Sequence, residues 1–273
     1  MTPWALFDLT GKRALVTGGA TGIGRMAAEA LVSAGADVMI ASRKAEACVA
    51  AADEINALGG PGRAEGFAGD VANEAGVEAL AGEVRARTDR LDILMNNAGR
   101  SWGAPLERFP YDAWDKVMSL NVAGLFALTQ ALLPLLDAAA SDADPARVVN
   151  VGSVMGDVPM GDGAYSYSAS KAAVHHLTAI LAKELAARRI TVNALAPGPF
   201  VSRMTAFATA DEATRAKVGA QVPLGRVGAP EDIAAAMLYL CGKGGAYVTG
   251  AILPLSGGIN VETGPAIFKE ADA

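Results

Sequence analysis

The feature that most constrains this chain is a repeated alternation of short apolar runs with stretches of helical spacing. RALVT at 13–17, DVMIAS at 37–42, a short run toward Phe67, LDILMNN at 91–97, ARVVNVGS at 146–153, ITVNALAPG at 190–198 and GAILPL at 250–255 are apolar nearly throughout. They do not alternate apolar with polar residues, so each reads as a strand buried on both faces. Helical spacing follows over 23–34, 44–58, 74–87, 112–137, 165–188 and 230–241, supplying the crossovers that parallel neighbours require. The pattern predicts an α/β chain with a single doubly wound domain over 1–273. Its parallel sheet has about seven strands, with helices on both faces. No repeat, linker or low-complexity block divides the 273 residues, and a chain of this length buries a large core without staples.

Charge and cysteine usage narrow the function classes. The formal net charge is −6, and the densest basic spots are Lys12 with Arg13 and Arg188 with Arg189. Nucleic acid and anionic membranes are therefore not expected partners. The most apolar window, GLFALTQALLPLL at 124–136, is interrupted by Thr129, Gln130 and Pro134 and is expected as a buried helix rather than a span. The N-terminal stretch lacks a basic segment followed by an apolar one, so no export signal is expected. Cys48 and Cys241 form no CxxC and have no His at ligand spacing. Two free thiols suit a reducing cytoplasm, and no metal is expected.

After the first strand comes Thr17-Gly18-Gly19-Ala20-Thr21-Gly22-Ile23-Gly24, leading into a helix. Glycines there let the backbone approach a pyrophosphate at the helix N-terminus, where free N–H groups and the dipole favour anions. Gly18, Thr21, Gly22, Ile23 and Gly24 are thus candidate dinucleotide contacts, although the spacing is T-G-x-x-x-G-x-G rather than G-x-G-x-x-G. At the end of the second strand stand Ser42 and Arg43, with no Asp or Glu. An acidic residue there would bind a ribose 2′-hydroxyl, whereas an arginine forks onto a 2′-phosphate. NADP(H) is expected over NAD(H).

In GDGAYSYSASKAAVHHL (161–177), Tyr167 and Lys171 are four apart and share one helix face. A neighbouring ammonium favours tyrosinate, which suits proton transfer to or from an alcohol oxygen. Tyr165 has no charged residue at helical spacing. Ser153 follows a strand at the edge where open α/β sheets bind ligands, placing its hydroxyl for a substrate oxygen. His175 continues the Tyr167–Lys171 face, but the sequence brings no carboxylate cluster to it, so a packed or interface role is expected for it.

TGGATGIG at 17–24, Asp70, NNAG at 96–99, Asn121, Ser153, YSASK at 167–171 and Pro197-Gly198 together resemble the short-chain dehydrogenase/reductase family over nearly the whole chain. The resemblance implies that Tyr167 acts as acid in reduction and base in oxidation. Lys171 would bind the nicotinamide ribose and lower the Tyr167 pKa, Ser153 would polarise the carbonyl, and Asn121 would keep a water in a relay to Lys171. It implies cofactor contacts from Asp70 and Val71 at the adenine, from Asn97, Ala98 and Gly99 at the adenosine ribose, and from Pro197, Gly198, Phe200 and Ser202 around the nicotinamide. Residues 199–222 would form a substrate lid, with Met204 and Phe207 over an apolar substrate and Trp102, Met155 and Met160 lining the same cleft.

The implied activity is NADPH-dependent reduction of a small-molecule ketone, a 3-oxoacyl thioester or similar. Two alternatives stay open: an NAD(P)-dependent dehydrogenase of a secondary alcohol, sugar or polyol, and a non-catalytic dinucleotide sensor. A homotetramer or homodimer is implied as well.

Overall fold

Seven strands of four to eight residues form one parallel sheet in the computed structural model, which describes residues 2–160, 163–202, 205 and 211–261. They are β1 Arg13–Thr17, β2 Asp37–Ser42, β3 Arg63–Ala68, β4 Ile93–Asn96, β5 Ala146–Val151, β6 Ile190–Pro197 and β7 Ile252–Leu255. Their order is β3-β2-β1-β4-β5-β6-β7, every pair parallel. Every residue of β4, β5 and β6 is buried, as runs that are apolar on both faces require. The edge strands β3 and β7 are only partly covered.

Helices cover both faces. On one lie α1 Gly22–Ser33, α2 Ala45–Ala57 and α8 Pro230–Cys241, whose Leu31, Ile55 and Met237 pack on Val16, Ile40 and Ile93. On the other lie α3 Glu74–Arg87, α5 Leu125–Ala139 and α6 Tyr165–Leu185, with Leu80, Leu128, Leu132, Leu136 and Leu181 against Leu15, Leu94 and Val148. Burying each such leucine contributes about 1.5–3 kcal/mol.

The long helix expected over 112–137 is in fact α4 Asp112–Met118, a π-helical turn Ser119–Gly124, and α5. Over Asp112–Ala139 it is long and apolar enough to cross a membrane, yet here Leu128, Leu132 and Leu136 are sealed against the sheet. Single π turns recur at functional sites. This one carries Asn121, and its Gly124 sits where a Cβ would overlap the Val71 carbonyl oxygen.

The segment read as a polar lid holds a further helix, α7 Glu212–Gly219. Asp211 caps it, accepting from Thr214 N at 2.8 Å and Thr214 Oγ1 at 2.7 Å. Its only buried residue is Gly219, so it has no apolar stripe for periodicity to detect. The order β1-β4 marks the point where the chain winds away in opposite directions, opening a crevice at the C-terminal strand ends.

Candidate active site

The crevice is built first by Thr17, the last residue of β1. Its hydroxyl accepts from Asn97 N and Ala98 N, both at 3.0 Å, tying the segment after β4 to the glycine loop. The Asn97 amide donates to Thr17 O at 2.8 Å and Gly18 O at 3.2 Å. The side chain expected at the adenosine ribose is therefore a clamp on the loop. Gly18 and Gly24 are required by this closeness: a Cβ on Gly18 would lie 2.9 Å from Asn97 Nδ2, and one on Gly24 would overlap it. Thr21 stands at the α1 N-cap without a side-chain cap bond, so the first amides of α1 are open to an anion. Ile23 packs on the core beside them. Ser202 comes so near that a Cβ on Gly22 would lie 3.0 Å from its own. Backbone amides, no crowding side chain and a helix N-terminus fit a dinucleotide pyrophosphate.

Beyond β2 and β3 lies the other end of the crevice. Ser42 Oγ is 3.0 Å from Cys48 Sγ, and Arg43 is exposed with no ion-pair partner among the described residues. Asp70 Oδ1 accepts from Ala72 N at 3.0 Å, and Val71 is buried next to it. A free guanidinium with no carboxylate beside it at the strand end fits a 2′-phosphate.

The proton-handling groups meet at the ends of β5 and α6. Ser153 is extended and buried, heading a short 3₁₀ turn, and its Oγ accepts from Met155 N at 3.1 Å. The Ser153 side chain also hydrogen-bonds the Tyr167 phenol. Lys171 Nζ donates to Val151 O at 2.6 Å and lies 5.6 Å from the Tyr167 ring centroid. A Cβ on Gly99 would lie 3.7 Å from that ammonium and 3.3 Å from Asn121 Oδ1. Tyr165 points elsewhere, stacked edge-on against Phe109 at 5.2 Å.

Electrostatics correct one expectation. Burial raises the Tyr167 pKa above the ordinary phenol value, while the Ser153 hydrogen bond offsets this only in part. Lys171 is not among the groups that bring it down, and its ammonium donates to the Val151 carbonyl. Burial pushes Lys171 itself down to about 8. Asn121 Nδ2 donates to Arg100 O and Ser170 Oγ, both at 2.9 Å, and its Oδ1 accepts from Arg100 N at 2.9 Å. With both amide protons taken, the side chain holds the 97–100 segment.

Around the nicotinamide end, Pro197 closes β6, and Gly198 N donates to Leu255 O at 2.9 Å. The Phe200 ring is withdrawn into the protein. The residue is 2% exposed, and the ring fills the place of the missing Cβ of Gly228. Ser202 Oγ is 2.9 Å from Thr205 Oγ1. Met204 and Phe207 lie outside the described residues. Met155 and Met160 join Val158 on a small apolar cluster of Val154, Val222 and Ile259. Trp102 is 37% exposed, with Lys116 Nζ 5.2 Å from its ring centroid.

Sequence reasoning missed Ile259, which approaches from beyond β7, and named Val222 only as the end of the 199–222 segment. It also missed Asp157, whose carboxylate lies 2.9 Å from His175 Nδ1, while His175 Nε2 accepts from Ser153 N at 3.4 Å. The spacing Lys171-x-x-x-His175 put the ring on the right face; nothing in the sequence gave its partners. Among the described residues, no group of three or more His, Cys, Asp or Glu could hold a metal.

A family model described as short chain dehydrogenase matches residues 12–213. The chain is 48% identical over 255 residues, 93% of this chain and 98% of the other, to the rhamnolipids biosynthesis 3-oxoacyl-[acyl-carrier-protein] reductase of Pseudomonas aeruginosa. It is 37% identical over 251 residues to the 3-oxoacyl-[acyl-carrier-protein] reductase FabG of Aquifex aeolicus, covering 92% of this chain and 98% of that one. Among solved structures, the Pseudomonas aeruginosa RhlG/NADP active-site complex superposes with a TM-score of 0.89 at 48% identity, over 96% of this chain and 100% of that one.

Proposed function

This chain belongs to the short-chain dehydrogenase family, and from that premise we propose that it is an NADPH-dependent carbonyl reductase acting on a 3-oxoacyl thioester or a similar apolar ketone. The observation that carries the proposal is the Ser153–Tyr167–Lys171 group, with Ser153 and Lys171 buried and Tyr167 half-buried, set at the same sheet edge as the glycine loop. Ser153 directly adjoins the apolar cluster of Val154, Val222 and Ile259.

NADPH, when bound, supplies the hydride. Gly18, Gly22, Gly24 and the first amides of α1 hold its pyrophosphate, and Arg43 holds its 2′-phosphate. Ser153 donates a hydrogen bond to the substrate carbonyl oxygen, and Tyr167 gives that oxygen its proton. A phenol held protonated by burial is ready for this direction at neutral pH. Lys171 binds the nicotinamide ribose hydroxyls with the donors that Val151 leaves free. The acyl chain of the substrate lies along Met155, Met160 and Val222.

The enzyme works in the cytoplasm, in keeping with two buried free thiols. It self-associates as a homotetramer or homodimer through helix faces that leave Phe126 of α5 and Ile180 of α6 exposed. Light scattering on the purified protein checks the assembly. The activity is tested by following NADPH oxidation with 3-oxoacyl thioesters of increasing chain length, and NADP⁺ reduction with sugars and polyols. Turnover confined to the second set would overturn the substrate class. NADPH binding without turnover in either set would make the protein a sensor.

A further inference from the structure

We propose that His175 is a positioning residue for Ser153 and that only its neutral form holds the serine in place. The turn after β5 is wrapped around the imidazole. A Cβ on Gly152 would overlap His175 Nε2, and one on Gly156 would lie 2.8 Å from Cε1. The ring occupies the space of a side chain at both positions, and at Gly156 the backbone of Lys171 and Ala172 crowds it as well. Nε2 accepts the Ser153 backbone N–H at 3.4 Å, and Nδ1 lies 2.9 Å from Asp157 Oδ1. A backbone N–H can only donate, so Nε2 carries no proton and Nδ1–H donates to the carboxylate. The ring thus fixes the backbone from which the Ser153 hydroxyl is aimed at Tyr167.

Protonation of Nε2 sets N–H against N–H. The bond to Ser153 is lost and the turn is released. Asp157 is the one carboxylate among the described residues bonded to the ring. Of the elements packed on α6, β6 and the π turn hold no ionisable side chain. On β5 the only one is Arg147, tied to Asp144 and the Leu240 and Gly242 carbonyls at the far end of the strand. Asp112, Asp115 and Lys116 of α4 are exposed. On α6, Lys171 is turned to Val151 O, and His176 is exposed.

The inference rests on the reading of Ser153 as donor to the substrate carbonyl. The test measures kcat, KM and NADPH Kd of the full-length protein between pH 5 and 8 for Ser153→Ala, His175→Met, His175→Gln, Asp157→Asn and the Ser153→Ala/His175→Met double variant. His175→Met is expected to lower kcat about tenfold while NADPH Kd stays put, since misplacing a catalytic group by a fraction of an ångström has that order of cost. In the Ser153→Ala background the same change costs nothing further. Gln, whose side-chain oxygen also accepts from an N–H, recovers most of the lost kcat. Asp157→Asn keeps an acceptor for Nδ1–H and costs kcat no more than about twofold. Equal losses from His175→Met in both backgrounds, or no recovery in His175→Gln, overturn the positioning role. Should His175→Met not fold, His175→Gln decides alone, by keeping kcat near the wild-type value or losing it. If Ser153→Ala itself keeps full kcat, the failure belongs to the reading of Ser153.

Discussion

Both ends of strand β5 carry a buried cation, and the two are treated in opposite ways. At the N-terminal end Arg147 is 1% exposed and bonds Leu240 O at 3.2 Å, Gly242 O at 3.1 Å, Asp144 Oδ1 at 3.0 Å and Pro145 O. Asp144 in turn meets Lys12 at 2.6 Å, which reaches Asp92 at 3.2 Å. At the C-terminal end Lys171 is just as buried, yet one carbonyl, Val151 O, takes its ammonium. A buried charge normally requires full compensation. Arg147 has it and fastens the C-terminus of α8 to the sheet. Lys171 lacks it, sits at the open edge beside Gly99, and is held at about 8 by burial. One edge is finished as structure; the other keeps donors in reserve for a ligand.

The strongest blow to this contrast comes from Tyr167→Phe. Turnover is expected to fall about 10³-fold, with the unfolding midpoint and NADPH Kd unchanged, because general acid catalysis is worth roughly 10²–10⁴. Steady-state kinetics beside urea denaturation would reveal any equal loss of stability.

Arg147→Met should do the reverse. It is expected to lower the unfolding free energy by about 3 kcal/mol, the usual cost of breaking a buried pair, while kcat of the folded fraction stays at the wild-type value. A kinetic defect without a urea shift would erase the distinction between the edges.

A third experiment addresses Lys171 directly. With a folded pKa of about 8 and an ordinary one of 10.5, the unfolded chain binds more protons between these values. Stability from this group therefore rises with pH across that window, by at most about 1.4 kcal/mol per pH unit. Tyr167 and Cys241, both raised by burial, work the opposite way above their ordinary values, the thiol from pH 9 upward, so pH 8 to 9 is the clean range. Urea midpoints should climb there in wild type and lose that climb in Lys171→Met.

Arg43→Ala sharpens the contrast at the far end of the crevice. It should raise the NADPH Kd by about tenfold or more and leave NADH unaffected, the order expected for a charge-assisted hydrogen bond. Equal losses for both cofactors would sink the 2′-phosphate role. The smallest effect is expected from Tyr165→Phe, whose ring stacks on Phe109 away from Lys171: kcat within about twofold of wild type, set beside Tyr167→Phe in the same assay.

Much of this was legible in the chain. Runs apolar on both faces gave the central strands, and α3 stands at 74–87 as its spacing predicted. The glycine loop and the Tyr167–Lys171 face are local patterns, so they could be read before any fold was known. Helix α7 was not, because a polar helix capped by Asp211 leaves no stripe. Nor was the withdrawal of Phe200, which depends on a glycine 28 positions later in the chain.

By itself the sequence determined the α/β winding, the glycine-rich first turn, the place of Arg43 after the second strand and the candidates Ser153, Tyr167 and Lys171, since each follows from periodicity or spacing within a few residues. Only the tertiary structure decided how those groups are charged and held. Burial raised Tyr167 and lowered Lys171, the 97–100 segment took the amide of Asn121, and the turn after β5 closed on His175. Such effects depend on which distant atoms replace water around a group, and spacing along the chain carries no record of that.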